Sequence, residues 1–247
     1  MKDVRKNKKV KLKNIKIGIL GGMGPQASSE LLRLIISKAI SRFGAKECDE
    51  FPEIVLDSIP VEDFISNTDK VKRVRKMIVN RALNLKSMGC NPIVLACNSA
   101  HVMESDIKKA IGKKFRSLIS IMGQEAKKRG MKKVCVFATP TTINNDLYKV
   151  GFQSLDISVI YPNKRIITMH ENIIRRVISG KNNKVDRSRI LNLAKRIIKA
   201  GQADGVILGC TELPVAAGET NNPKILSSLS VLADNLLGEY YTSKILV

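Results

Sequence analysis

Two segments of the chain repeat one pattern: an aliphatic run, a small residue, a cysteine, and then polar residues. Residues 91–101 read NPIVLACNSAH and residues 204–214 read DGVILGCTELP, which places Cys97 and Cys210 113 positions apart. Two other aliphatic runs end at Leu20 and Phe137, 117 positions apart, and a turn-forming loop follows each. Because two independent anchors have nearly the same offset, we infer an internal duplication.

Short aliphatic runs alternate with helical periodicity in both halves of the chain. Strands are predicted over 16–20, 53–56, 92–96, 133–137, 158–160 and 205–208, and helices over 28–40, 69–88, 168–178, 186–200 and 230–240. Such alternation indicates crossover connections and parallel sheets. We therefore expect an α/β protein with two pseudo-symmetric domains, each a parallel sheet flanked by helices.

The offset of the repeat also sets the expected domain limits. Residues 1–14 are predicted to be a basic tail, 15–115 and 116–225 two α/β domains, and 226–247 a C-terminal helix that packs back on the first domain. A chain of 247 residues can bury a core without disulfides or metals. Aromatic residues make up only 4% of it, so that core is aliphatic, as in parallel sheets.

A formal net charge of +21 narrows the classes of partner. Residues 1–16 hold eight basic residues and one acid, but the remainder still carries +14 (35 minus 21). Such charge is typical of proteins that bind nucleic acid or an anionic membrane surface, or that attract an acidic substrate. It is also found where a whole proteome is rich in lysine. Few aromatic residues and no nucleic-acid-binding motif argue against a nucleic-acid partner. No apolar run approaches the ~20 residues of a membrane span, so no membrane partner is expected.

The five cysteines favour a reducing compartment, and we expect a cytoplasmic protein. Their number is odd and no CxxC pair occurs, which argues against a disulfide framework. The basic start followed by IGIL resembles a signal peptide. However, Gly21 and Gly22 interrupt the apolar stretch, and no A-x-A-like cleavage site follows closely.

The matched cysteines point to acid–base chemistry. Each follows a predicted strand and precedes a helix, where parallel sheets bind ligands and where N–H groups favour carboxylates and thiolates. Asn98, Ser99 and Thr211 add short donors. Two opposed thiols can invert a stereocentre, since one removes a proton and the other delivers one from the opposite face. Modest tuning is expected to put both thiol pKa values near neutral. Cys48, Cys90 and Cys135 are interpreted as packing residues.

Other motifs argue against a bound cofactor or metal. The GGMGP loop lacks the dinucleotide spacing G-x-G-x-x-G, and no GK[ST] follows a glycine-rich loop. A zinc site from Cys97, His101 and Cys210 lacks a fourth ligand, so no metal is predicted. His101 is expected to cap or pack, and His170 to face solvent on a helix.

Four motifs together resemble the aspartate/glutamate racemase superfamily, closest to its aspartate racemase branch. They are IGILGGMGP at 17–25, CNSAH at 97–101, FATPTT at 137–142 and DGVILGCTELP at 204–214. The resemblance implies a cofactor-independent amino-acid racemase, often a homodimer, with Cys97 and Cys210 catalytic. By the same resemblance the residues lining the substrate site are Met23, Asn98, Ser99, Thr139, Thr142, Thr211 and Glu212.

The loop that would select the side chain departs from that pattern. Aspartate-specific members carry I-P-D-R, whose Arg holds the side-chain carboxylate, whereas this chain reads I-P-V-E-D and has Glu62 there. A Lys expected before Gly180 is also replaced, and Lys181 is the nearest cation along the chain. We therefore expect a neutral or basic amino acid rather than aspartate. The alternatives are a related isomerase or decarboxylase of a small carboxylic acid, or a catalytically idle carboxylate-binding protein.

Overall fold

The computed structural model describes residues 15–62 and 71–245, so the predicted tail at 1–14 lies outside the described residues. The first half contains β1 (Lys16–Gly21), α1 (Pro25–Phe43), β2 (Glu53–Ser58), α2 (Val71–Ser87), β3 (Ile93–Leu95), α3 (Glu104–Ile111) and β4 (Phe115–Arg116). The second contains α4 (Leu118–Lys128), β5 (Lys133–Phe137), α5 (Pro140–Asn144), α6 (Leu147–Phe152), β6 (Ser158–Ile160), α7 (Lys164–Ile178), α8 (Lys184–Lys199), β7 (Gly205–Leu208), α9 (Glu212–Ala217) and β8 (Ile225–Ser227). α10 (Ser228–Ile245) follows.

Each half builds a four-stranded parallel sheet with the same strand order. The orders are β2-β1-β3-β4 and β6-β5-β7-β8. In the first sheet Leu20 pairs with Leu95, and in the second Phe137 pairs with Leu208. The predicted fold class is confirmed, and the repeated order agrees with the inferred duplication. The limits of the domains, 15–115 and 116–225, stay a prediction.

Helix ends differ from the predicted ones by a few residues. The helix predicted over 28–40 runs from Pro25, a residue suited to the first helical position, to Phe43. It ends at Gly44, whose φ of 72° falls in the left-handed region that glycine adopts most readily. The last helix, predicted over 230–240, runs from Ser228 to Ile245. Propensity locates such ends poorly, because caps and packing decide them.

The two halves pack closely and α10 joins them. One aliphatic cluster includes Ile19 and Leu31 from the first half, Val136 from the second, and Leu232 from α10. α10 packs against both α1 and α4. The buried Lys38 of α1 donates to Ser230 Oγ at 2.8 Å and lies 2.9 Å from both carboxylate oxygens of Asp234. Over 15–62 and 71–245, no helix is both long and apolar enough to cross a membrane.

Candidate active site

A cavity of about 470 Å³ lies at the carboxyl ends of β1, β2 and β3. Small-molecule sites span roughly 300–1,000 Å³, so its size suits a small ligand. The first half supplies most of the wall, and α7 closes it from the second half. The lining residues are Gly22, Met23, Gly24, Pro25, Val61, Glu62, Cys97, Ser99, Arg175 and Ile178.

Cys97 lies at the buried end of this cavity. It follows β3 directly, is 6% exposed, and precedes a short 3-10 turn over Ser99–Met103. Burial, and then the negative charge of Glu212, raise the pKa of the Cys97 thiol to about 12, although N–H groups of Ala100 and Ser99 oppose the shift. The expected near-neutral pKa is therefore wrong for this structure. Desolvation raises the thiol pKa by more than the N–H groups of this single turn lower it.

Cys210 occupies the matching position after β7 and is 4% exposed. Its thiol donates to Oε2 of Glu212 at 3.0 Å. Burial and the charge of Glu212 raise the pKa of Cys210 well above its ordinary value. Of these two thiols, Cys97 belongs to the described cavity lining and Cys210 does not.

Glu212 connects Cys210 to the wall of the cavity. Besides the thiol, its carboxylate accepts the Thr211 hydroxyl at 3.2 Å and the backbone N–H of Gly24 at 3.2 Å. Burial raises the pKa of the Glu212 carboxyl itself. The negative charge of Glu212 raises the pKa of both cysteines. The charge of a Cys97 thiolate raises the pKa of Cys210 further. The fold thus brings the two matched thiols within electrostatic range of each other and of one carboxylate.

Ser99 is held by residues from the other half of the chain. Its hydroxyl shares hydrogen bonds with Thr139 Oγ1 at 2.8 Å and Thr142 Oγ1 at 3.3 Å. Both threonines are buried and, like Thr211, fall outside the cavity lining. The FATPTT loop therefore orients a cavity residue from behind.

Asn98 also faces the protein interior. Its Oδ1 accepts the Tyr148 hydroxyl at 2.7 Å, and its Nδ2 lies 3.5 Å from Ser228 Oγ. Tyr148 and Ser228 come from α6 and α10, and nothing in the motifs pointed to them. Of the seven residues predicted to line a substrate site, Met23 and Ser99 are the two that line this cavity.

Arg175 is the cavity residue that the sequence reasoning missed. It lies one helical turn before Ile178, and Gln26 of α1 holds that end of α7 by donating to the Ile178 carbonyl at 2.6 Å. Lys181, the cation expected nearby, is exposed and absent from the described lining. The acidic Glu62 does line the cavity. The cation that the structure places in the cavity lining is therefore Arg175 rather than Lys181.

Comparison with known proteins confirms the family that the four sequence motifs resemble. The model of the Asp/Glu/Hydantoin racemase family matches residues 20–234. The chain belongs to that family. Among solved structures, an aspartate racemase homologue from Pyrococcus horikoshii has a TM-score of 0.75 and 26% identity, with 92% of this chain and 99% of that chain covered. The Picrophilus torridus aspartate racemase, at 24% identity and a TM-score of 0.70, shares the fold over 93% of this chain and 99% of its own.

Curated relatives are more distant or more partial matches. The broad specificity amino-acid racemase RacX of Bacillus subtilis is 28% identical over 133 residues, covering 54% of this chain and 58% of the relative. A glutamate racemase of Synechococcus is 24% identical over 182 residues, covering 73% of this chain and 63% of the relative. The chain thus spans about six-tenths of the length of these two family members.

His101 packs, as expected, and supports the Cys97 loop in this family member. Its Nδ1 donates to the Cys97 carbonyl at 2.9 Å, and its Nε2 accepts the Leu118 N–H at 3.0 Å. These partners assign one neutral tautomer, and burial lowers the His101 pKa. Both nitrogens are thereby engaged. In the described ranges no group of three or more His, Cys, Asp or Glu could hold a metal ion.

His170 is buried, so its expected solvent exposure is wrong. It lies on the same α7 face as the buried Ile173, Ile174 and Val177, a spacing that could have predicted burial. Its ring lies 4.4 Å from that of Phe137, and neither ring nitrogen has a hydrogen-bond partner among the residues that the structure describes. Burial lowers the His170 pKa to about 4.

Proposed function

We propose that this protein is a cofactor-independent amino-acid racemase in which Cys97 and Cys210 are the two acid–base groups at Cα. The observation that carries the proposal is that two thiols, from equivalent strand ends of a duplicated fold, lie within electrostatic range of each other and of one carboxylate, with Cys97 in the cavity lining. Membership of a racemase family supports it.

The raised pKa values require a route to a thiolate. Glu212 supplies one, because its Oε2 already accepts the Cys210 proton at 3.0 Å. Burial raises the pKa of Glu212, and this brings the pKa of the acceptor closer to that of the thiol. The ammonium group of a bound amino acid would further favour the thiolate by direct attraction.

The proton inventory balances in this scheme. The Cys210 proton passes to Glu212, and the Cys210 thiolate then takes the Cα proton of the substrate. The Cys97 thiol gives its own proton to the opposite face of the carbanion and becomes a thiolate. The reverse reaction starts from the Cys97 thiolate and retraces these steps, as interconversion of two enantiomers requires.

The remaining predicted site residues divide into two roles in this proposal. Met23 and Ser99 contact the substrate from the cavity wall, and Ser99 donates to its carboxylate. Asn98, Thr139, Thr142 and Thr211 act from behind and hold Ser99, the Cys97 loop and Glu212 in place. Such support matters because misplacement of reacting groups by about 1 Å can cost roughly 100-fold in rate.

Incubation in deuterated water with single amino acids tests the proposal. The expected result is α-deuterium uptake together with loss of optical purity. Binding without exchange would indicate the idle carboxylate-binding alternative. Turnover of a small carboxylic acid, with no exchange at the α-carbon of any amino acid, would favour the related isomerase or decarboxylase.

We also propose a homodimer, in which a second copy covers one face of α1. Ile36, Ile40 and Phe43 are 44%, 52% and 40% exposed and share this face by their spacing. The flanking Arg33 and Arg42 are paired with Glu30 and Asp234. On a chain of charge +21, this stripe is thus a surface where two like-charged copies can meet without strong repulsion.

The five cysteines are unpaired, in keeping with the reducing compartment expected from the sequence. We infer a cytoplasmic enzyme acting on a small amino acid.

A further inference from the structure

The solvent end of the cavity carries one acid and one base from opposite halves of the fold. Glu62 comes from the segment after β2, and Arg175 comes from α7. Both side chains are about half exposed, whereas Cys97 and Ser99 at the inner end are buried. The wall between is mostly apolar, with Met23, Pro25, Val61 and Ile178. The same cavity therefore contains Cys97 together with one side chain of each charge.

Each of these charges has an ion-pair partner that a ligand can replace, and the partner side chains are 23% exposed in Glu171 and 73% exposed in Arg73. Arg175 Nη2 lies 3.1 Å from Glu171 Oε1, and Glu62 Oε2 lies 3.1 Å from Arg73 Nη2. Ion pairs between exposed side chains contribute little net free energy, because water and salt screen them. A substrate charge that is partly shielded inside the cavity can therefore compete with either partner.

The two charges have opposite consequences for selectivity. A guanidinium alone would attract a side-chain carboxylate, which it can bind through two parallel hydrogen bonds, and would repel a cation. A carboxylate alone would do the reverse. Because both charges lie in one pocket, an anionic side chain finds an attractive partner in Arg175 and a cationic side chain finds one in Glu62.

Resting on the racemase function proposed above, we propose that this pocket accepts both anionic and cationic amino acids. Arg175 binds the carboxylate of an acidic side chain, and Glu62 binds the ammonium or guanidinium of a basic one. These two residues set the side-chain selectivity of the enzyme.

Three amino acids of similar length test the inference: glutamate, ornithine and uncharged glutamine. For the wild type, kcat/KM for glutamate and ornithine should agree within about tenfold, and both should exceed that for glutamine. Arg175→Gln should lower the glutamate-to-ornithine ratio of kcat/KM by roughly tenfold, and Glu62→Gln should raise it by a similar factor, as expected for loss of a charged hydrogen-bond partner at a half-exposed site. The matched controls, Arg165→Gln on exposed α7 surface and Glu53→Gln on β2, should leave the ratio unchanged.

A wild type that prefers one sign by more than about 100-fold would overturn the inference, as would ratios that neither substitution moves. Calorimetric titration of the Cys210→Ser variant with the same amino acids separates this failure from failure of the racemase proposal. If no amino acid undergoes exchange, the racemase proposal fails. In that case, the dual selectivity is overturned as well if the variant binds only glutamate, only ornithine, or neither.

Discussion

The Cys210 thiol donates a hydrogen bond to Oε2 of Glu212, two residues further along the chain, at 3.0 Å. The equivalent position after Cys97 is Ser99, whose hydroxyl bonds to Thr139 and Thr142. The duplicated halves therefore place a carboxylate beside one sulfur and a hydroxyl beside the other. In the proposed mechanism, this asymmetry makes Cys210 the thiol with a nearby proton acceptor and Cys97 the thiol that begins as the acid.

Glu212→Gln tests that asymmetry. The amide keeps the size of the side chain and can still accept the Gly24 N–H, but it cannot take up the Cys210 proton. We expect kcat to fall roughly 100-fold or more, the usual range for loss of a proton-transfer group. The loss should shrink as pH rises, because solvent can then remove the thiol proton. Steady-state rates from pH 6 to 10 would show this, with Glu219→Gln beyond the far end of α9 as control. Unchanged kcat would exclude Glu212 as the acceptor.

Replacing either cysteine by serine tests the two-base scheme. A hydroxyl has a much higher pKa than a thiol, so Cys97→Ser and Cys210→Ser should each abolish racemisation while circular dichroism stays native. Cys48→Ser is the control, because Cys48 is exposed and outside the cavity lining. Near-wild-type turnover in either catalytic variant would rule the mechanism out.

Alkylation should distinguish buried thiols from the exposed one. Thiol reactivity depends on access and on thiolate content, and Cys97 and Cys210 are both buried with raised pKa values. Iodoacetamide at neutral pH should first modify Cys48 without loss of activity. Inactivation should follow more slowly and parallel the modification of Cys97. Peptide mass spectrometry alongside activity measurements checks the order, and simultaneous modification of Cys48 and loss of activity would contradict it.

His170 should make the fold sensitive to acid. Its folded-state pKa is about 4, against about 6.5 in an unfolded chain, so below pH 6.5 the unfolded state binds a proton that the folded state excludes. Stability should therefore fall between pH 6.5 and 4, by about 3 kcal/mol in total. His170→Leu should flatten this part of the curve in urea unfolding experiments. An identical pH dependence in the variant would show that His170 does not titrate as its burial implies.

Ile40→Asp should weaken self-association. Burying a carboxylate in an apolar interface is costly, so the dimer Kd should rise by at least about tenfold. Ile40 is half exposed in the protomer, and the thermal stability of the monomer should change little. Sedimentation velocity over a range of concentrations measures the effect, with Val150→Asp on another exposed surface as control. A monomeric wild type, or a variant with the same dimer Kd as the wild type, would show that the α1 stripe is not a dimer interface.

The sequence by itself determined the class of fold and the two matched thiols. Strands, helices and the repeat are read from spacings within short windows, where side-chain alternation and small residues act locally. The positions of Cys97 and Cys210 at strand ends follow from those same local patterns, as does the expectation of ligand binding at that edge of the sheet.

Only the tertiary structure decided what surrounds those thiols. Glu212 reaches the Gly24 N–H across 188 residues of chain, and α7 carries Arg175 and Ile178 into a cavity whose other described lining residues come from the first half. Burial, which is set by the packing of distant elements, reversed the expected cysteine pKa values and placed His170 in the core. Local patterns contain no information about such long-range contacts or about exclusion of water. The sequence could therefore suggest the chemical type of the site, whereas the proposed roles of Glu212 and Arg175 rest on contacts that only the tertiary structure shows.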